Sequence, residues 1–277
     1  MRTDYGKFLA ISNIDNTDAE FIKLKELGFS YCQLIYKPVE YTEKAAKIIF
    51  EASKKHNVPI VSMFAGFRDG NYALSRADSF RVSGINSKEF GKDRIAYVKK
   101  AAAFAKSIGI DDVLIHAGYI ANNPLSEEYM YMRECLADFA GFCKEIGVNV
   151  LLETGCESPI TMLRMIEDVG TGNVYANLDT ANPILYGFGN PVDAVYTLNS
   201  YIKGLHIKDG FPPVDTEKLG VQTPVGEGFV DFKRVFAELE KIGYDGPIII
   251  EREISGEKQQ EDLKNSIKYL NEEIFKK

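Results

Sequence analysis

Short apolar runs in this chain repeatedly end in a side chain able to hold a proton or a metal. His116 follows VLI, Glu153 follows VLL, Asp179 follows ANL, His206 follows KGL with Lys208 and Asp209 just beyond, and Glu251 follows PIII. A single carboxylate at a strand end is ordinarily a helix N-cap or an ion-pair partner. A series of them from successive parallel strands is different. In a closed barrel they would converge on one axis, where like charges repel unless a cation offsets them. Glu153, Asp179 and Glu251 with the imidazole of His206 form a mostly oxygen donor set. It suits one divalent ion, Mn²⁺, Mg²⁺ or Co²⁺, and Zn²⁺ is also admissible. His116 reads equally as a substrate or metal contact and as a packed structural histidine.

The elements that must position these residues are legible as an alternation of strand-like and helix-like segments. The spacing predicts strands over 8–13, 31–36, 60–66, 112–118, 149–155, 174–180, 203–209 and 247–253. Between them lie amphipathic stretches such as TEKAAKIIFEASKKH, YMRECLADFAGFCKEIG and DFKRVFAELEKIGY, most of which close on Gly shortly before the next strand. Eight such repeats predict an α/β chain folded as a single (β/α)8 TIM barrel over residues 1–277, in preference to an open doubly wound sheet. The length agrees, since α/β barrels run at about 250 residues as one domain. Two connections, 67–86 and 210–229, are long enough to be lids or binding loops at the C-terminal mouth.

Composition narrows the function classes. The chain is 45% hydrophobic and 26% charged, which fits a soluble globular protein. Its net charge of -7 and lack of a basic cluster argue against a nucleic-acid or anionic-membrane surface. The N-terminal MRTDYGKFLAIS lacks a basic stretch followed by a long apolar region, and no apolar run reaches membrane-spanning length, so a cytoplasmic location is expected. Cys32, Cys135, Cys143 and Cys156 have no CxxC spacing and read as free thiols, with Cys156 not expected to ligate metal. VGEGFVDF lacks the phosphate-loop signature and no GxGxxG follows the first strand, so a nicotinamide cofactor is not expected. His56, at a predicted helix end, reads as a solvated terminal residue.

LLET at 151–154, NLDT at 177–180, HIKDG at 206–210, VGEGFVDF at 225–232 and IIIERE at 248–253 resemble the xylose isomerase-like barrel superfamily. That superfamily includes sugar isomerases and 3-epimerases, hydroxypyruvate isomerase, inosose dehydratase and the endonuclease IV group. The resemblance implies that Glu153, Asp179, His206 and Glu251 match the metal ligands of the ketose 3-epimerases. It further implies that Glu153 and Glu251 flank the substrate carbon as acid and base. A divalent ion there would polarise a ketone and its neighbouring hydroxyl, easing removal of the α-proton.

Departures are as informative. Ser62 stands where an endonuclease IV-like enzyme would carry a zinc-binding histidine, and GVQTPV before Gly226 lacks that group's Asp-x-His pair. Asn182 replaces a histidine that some ketose epimerases use to grip substrate hydroxyls. The remaining candidates for substrate contact are His116, Phe64, Glu157, Asn182, Lys208 and Asp209. Lys208 reads either as an oxyanion contact or as an ion-pair partner, and Glu157 either as a substrate contact or as complement to a helix N-terminus. The expected activity is a metal-dependent isomerase or epimerase of a small ketose or keto-sugar. An inosose or 3-dehydroshikimate type dehydratase on the same metal site is the alternative, ahead of an endonuclease IV-like nuclease or a non-catalytic sugar-binding barrel. A small sugar is the expected partner, with no nucleic acid or membrane, and homo-oligomers occur among such relatives.

Overall fold

The computed structural model describes residues 1–38, 40–67 and 84–277. Its strands run β1 (Gly6–Ile11), β2 (Tyr31–Tyr36), β3 (Ile60–Phe64), β4 (Asp112–Ile115), β5 (Asn149–Glu153), β6 (Val174–Asp179), β7 (Ile202–Ile207), β8 (Asp209–Phe211), β9 (Val221–Thr223) and β10 (Ile248–Ile250). All but β8 and β9 pair in parallel in one closed barrel, ordered β1-β10-β7-β6-β5-β4-β3-β2. The predicted barrel is therefore the observed one. Strand ends differ: pairing stops at Ile115 and Ile250, so His116 and Glu251 lie just beyond the ladder instead of inside it.

The 210–229 connection contains an element that its sequence does not announce. β8 and β9 form a small antiparallel hairpin pairing Asp209 with Thr223 and Phe211 with Val221. Of the other long connection, 68–83 lie outside the described residues.

Helices cover the barrel because each carries an apolar stripe at helical spacing. These are α1 (Thr17–Glu26), α2 (Glu43–His56), α3 (Gly91–Ser107), α4 (Glu127–Glu145), α5 (Pro159–Val169), the single turn α6 (Asn182–Leu185), α7 (Pro191–Leu198), α8 (Phe232–Lys241) and α9 (Glu257–Tyr269). In α4, Tyr129, Met132, Leu136, Phe139 and Cys143 are buried at steps of three or four, beneath an N-cap in which the Ser126 side chain accepts from the Tyr129 N–H. Burying each large apolar side chain in such a stripe contributes about 1.5–3 kcal/mol. α2 starts on Thr42, which caps the Ala45 N–H, and stops at Asn57, whose left-handed φ of 54° ends the helix.

Two local devices close the barrel and aim its interior. The Tyr31 hydroxyl accepts from the Ile248 N–H at 2.8 Å and tethers the short β10 to β2 across β1. Gly6 must be glycine there, because a Cβ would lie 2.4 Å from the Tyr31 ring. Below the mouth, Asn177 fills the space beside Gly204, where a Cβ would stand 2.2 Å from Asn177 Oδ1. Strand alternation from that layer then points Asp179 and His206, which are register partners, into the barrel together.

Candidate metal and catalytic site

The four residues read from sequence as metal ligands meet at the C-terminal mouth. One ligand atom from each of Glu153, Asp179, His206 and Glu251 can be chosen so that all lie within 4.8 Å of one another. Ligand atoms around one ion at about 2.0–2.4 Å are separated by at most twice that distance, so the cluster has the right span for one ion. His206 Nδ1 faces the carboxylates, 2.7 Å from Glu153 Oε1, 3.3 Å from Glu251 Oε2 and 4.0 Å from Asp179 Oδ2. Asp179 Oδ2 and Glu251 Oε2 are buried with no well-formed hydrogen bond among the described residues, and only the His206 and Lys208 cations stand at ion-pair distance from them. Such atoms favour a closer positive charge. A divalent ion fits that requirement and this donor set.

The strand ends are locked so that these side chains cannot swing away. The Asp179 N–H donates to Thr154 Oγ1 at 2.9 Å, and the Lys208 N–H donates to Thr180 Oγ1 at 3.0 Å while that hydroxyl donates back to the Lys208 carbonyl. The threonines of LLET and NLDT thus join β5 to β6 and β6 to β7 beyond the sheet ladder. Asp179 Oδ1 accepts from the Ala181 and Asn182 amides at the start of α6, which leaves Oδ2 for the cluster.

The electrostatics follow from crowding three carboxylates with the basic groups of His116, His206 and Lys208. Burial opposes ionisation of Glu153, but the charges of His116 and His206 overcome it and hold its carboxyl well below the usual range. Burial likewise opposes the Glu251 carboxylate, and Lys208 and then His206 bring it below the ordinary value. Burial pushes the Asp179 carboxyl up, with Lys208 only partly offsetting it. Burial disfavours the His206 cation, yet Glu153 and Glu251 prevail and raise the imidazole to about 10. Without a metal, His206 and Lys208 supply the positive charge of the site.

A cavity of about 700 Å³ opens over this cluster, within the range of small-ligand sites. Glu153 and Glu251 line it, whereas Asp179 and His206 stand fully buried behind them. Phe64 and His116 line the same wall with their rings 5.3 Å apart, edge to face. His116 Nε2 is 2.9 Å from Glu153 Oε2, and about half of its side chain remains open. Glu157 also lines the cavity; burial pushes its carboxyl up to about 7, against the stabilising Gly155 N–H that donates to Oε1 at 3.0 Å.

Lys208 and Asn182 are buried against each other and do not line the cavity. Lys208 Nζ donates to Glu253 Oε1 at 2.7 Å and to Asn182 Oδ1 at 3.2 Å, and it lies 3.8–3.9 Å from Glu251 Oε2 and Asp179 Oδ2. Asn182 Nδ2 donates to the Thr154 carbonyl. Asp209 stands apart from this group. Its carboxylate is fully buried and accepts from the Gly210, Gly226, Gly228 and Val230 amides at 2.8–3.1 Å. It organises the turn that returns from the hairpin, and Gly228 permits the approach because a Cβ would sit 2.2 Å from Asp209 Oδ1. The four cysteines are buried and unpaired.

Two participants were not singled out from sequence. Glu253 lies within IIIERE but beyond the strand end, and its role depends on Lys208 reaching it. Gln33 reaches His206 Nε2 at 3.0 Å through Oε1; the signal was a lone amide interrupting the apolar strand YCQLIY.

A closed parallel barrel with its polar side chains gathered at the C-terminal mouth defines a TIM-barrel protein. Within that class the chain belongs to the xylose isomerase-like TIM barrel family, whose model matches residues 21–273. It is 24% identical over 247 residues to an L-ribulose-5-phosphate 3-epimerase of Salmonella heidelberg, covering 82% of this chain and 78% of the relative. It is 27% identical over 146 residues to an inosose dehydratase of Geobacillus thermodenitrificans, covering 46% of this chain and 48% of that one. A xylose isomerase domain protein from Planctomyces limnophilus superposes with a TM-score of 0.88 at 27% identity, over 98% of both chains. Among the described residues no helix is long and apolar enough to cross a membrane.

Proposed function

We propose that this protein is a divalent-metal-dependent isomerase or epimerase that moves a proton at a carbon beside the carbonyl of a small ketose or keto-sugar. The observation that carries the reading is the split within the ligand set. Glu153 and Glu251 come from opposite sides of the His206 and Asp179 pair and line the cavity, while that pair is shut behind them.

A bound divalent ion, held by Glu153, Asp179, His206 and Glu251, would polarise the carbonyl and the adjacent hydroxyl and stabilise the developing negative charge. The protein's own side chains carry the proton. Glu153 is a carboxylate at neutral pH, oriented by His116 on one oxygen and His206 on the other, and is suited to accept a proton from the substrate carbon. Glu251, itself a carboxylate at rest, would return a proton from the other side after taking one from solvent in the cavity that it lines, and that return would invert the carbon. Return to the neighbouring carbon would isomerise the sugar instead. Phe64 offers an apolar wall and Glu157 a polar group on the cavity lining, while Lys208 stays buried behind it and acts on the charge of Glu251 and Asp179.

A second reading rests on His116. Its half-open ring beside Glu153 provides a further proton carrier that inversion alone does not need, and such a group can protonate a departing hydroxyl. The same α-proton removal would then end in dehydration, a reading supported by the partial similarity to an inosose dehydratase. Product analysis separates the two. With Mn²⁺ and a panel of ketoses and inososes, an epimer or positional isomer appearing by NMR supports the first reading, whereas a conjugated enone absorbance supports dehydration. Neither product from any substrate would count against both.

A further inference from the structure

The metal-facing nitrogen of His206 is one of two, and something must select it. We infer that Gln33, backed by Ser62, is the positioning residue that presents Nδ1 of His206 to the metal, an inference that rests on the metal reading above.

Gln33 sits in the middle of β2, is 1% exposed and points into the barrel beside Phe8 and Ser62, its register partners. A buried amide costs about 1–3 kcal/mol unless it is hydrogen-bonded. Both of its functional ends are used in one line. Nε2 donates to Ser62 Oγ at 2.7 Å, and Oε1 lies 3.0 Å from His206 Nε2. That line fixes what the ring can do. For Nδ1 to offer its lone pair to an ion, the ring proton must reside on Nε2, and in a fully buried position that N–H needs a protein acceptor. Gln33 Oε1 is that acceptor. Ser62, engaging the amide's N–H, keeps the oxygen turned toward the ring.

An amide also suits the charge balance better than a carboxylate. Three carboxylates, two of them buried, already surround Nδ1, and a fourth on the far side would add further negative charge. Phe8 packs edge-on against the imidazole at 5.1 Å between ring centroids, which resists rotation out of the line. Ser62 thereby has a use of its own at the place where the nuclease branch of the superfamily would carry a ligand histidine.

The test compares wild type with Gln33→Leu, Gln33→Glu and Ser62→Ala, each stripped with EDTA and titrated calorimetrically with Mn²⁺. Gln33→Leu, which cannot accept from Nε2, is expected to weaken Mn²⁺ binding by about 10–100-fold. Gln33→Glu, which retains the acceptor but adds a buried negative charge, is expected to recover part of the affinity lost in Gln33→Leu without reaching wild type. Thermal unfolding of the stripped proteins checks that the comparison is between folded chains. Labelling with ¹⁵N-histidine gives a second readout: with only three histidines in the chain, the Mg²⁺-loaded wild type is expected to show His206 protonated at Nε2, and Gln33→Leu to show that state lost or mixed. Should Gln33→Leu not fold, Ser62→Ala decides, with an expected several-fold loss of affinity. Unchanged Mn²⁺ affinity in the folded variants, with the His206 tautomer preserved, would overturn the role of Gln33. Absence of Mn²⁺ binding by wild type would overturn the metal reading itself.

Discussion

Glu153 and His206 meet at 2.7 Å between Oε1 and Nδ1 in an interior from which both are almost wholly excluded from solvent. The contact joins β5 to β7 across β6, and it occupies the nitrogen that a metal would need. Loading an ion therefore means removing the Nδ1 proton. Because Glu153 and Glu251 raise His206 to about 10, against the cost of burial, the metal-free ring is protonated at neutral pH. Asp179, raised by burial to about 8, must lose its proton as well, so metal affinity is expected to climb by more than one log unit per pH unit between roughly pH 6 and 8, with proton release on binding. Calorimetry in buffers of different ionisation enthalpy measures it, and pH-independent binding without proton release would contradict the arrangement. The same shift stabilises the metal-free fold. With a folded pKa above the ordinary 6.5, the contribution is fully present below about pH 6.5 and is lost as pH rises through 10.

Replacing Glu153 or Glu251 with Gln keeps side-chain size but removes the proton-carrying carboxylate. Each single variant is expected to lose turnover by at least about 10³-fold with circular dichroism unchanged. Near-normal rates in both variants, measured at saturating metal, would remove these residues from the proposed roles.

Glu157 gives a stability prediction independent of any substrate. Burial raises its carboxyl to about 7 in the folded protein from 4.5, so the folded state holds its proton where the unfolded chain has lost it. Stability from this group is present below about pH 4.5 and declines as pH rises through 7, a loss of about 3 kcal/mol by pH 8. Glu157→Gln, which keeps an acceptor for the Gly155 N–H, is expected to melt higher than wild type at pH 8 and to match it near pH 4.5. Denaturation curves at the two pH values decide this; an equal difference at both would refute the buried-carboxyl account.

Asp209→Ala removes the acceptor for the Gly210, Gly226, Gly228 and Val230 amides. The expected cost is about 3 kcal/mol, a fall in melting temperature of roughly 10 °C. Hydrogen exchange should localise the loosening to 225–230. A variant as stable as wild type would show that these bonds are readily replaced by water.

Much of this was visible in the sequence because the signal is periodic and local. Glu153 after VLL and Asp179 after ANL announce strand ends at a barrel mouth, and the converging charges imply a cation before any geometry is known. What escaped is non-local. Asp209, directly after a strand-end His-x-Lys, has the sequence appearance of a cavity residue, and only the return of residues 226–230 reveals why it is buried. Gln33 and His206 are 173 residues apart, so their contact is a property of the closed barrel and leaves no local pattern. The β8–β9 hairpin was missed because three-residue strands are too short for an alternation to register.

Proton removal beside a carbonyl is common to the isomerase, epimerase and dehydratase outcomes, so it is the step to measure. The protein is incubated in D2O with Mn²⁺, Mg²⁺ or Co²⁺ and a panel of ketoses and inososes, and deuterium uptake is followed by NMR. Exchange is expected at a carbon adjacent to the carbonyl, lost with EDTA and in Glu153→Gln and reduced in Glu251→Gln, which loses a proposed metal ligand. Exchange that persists undiminished in EDTA-treated protein or in both variants would contradict that expectation.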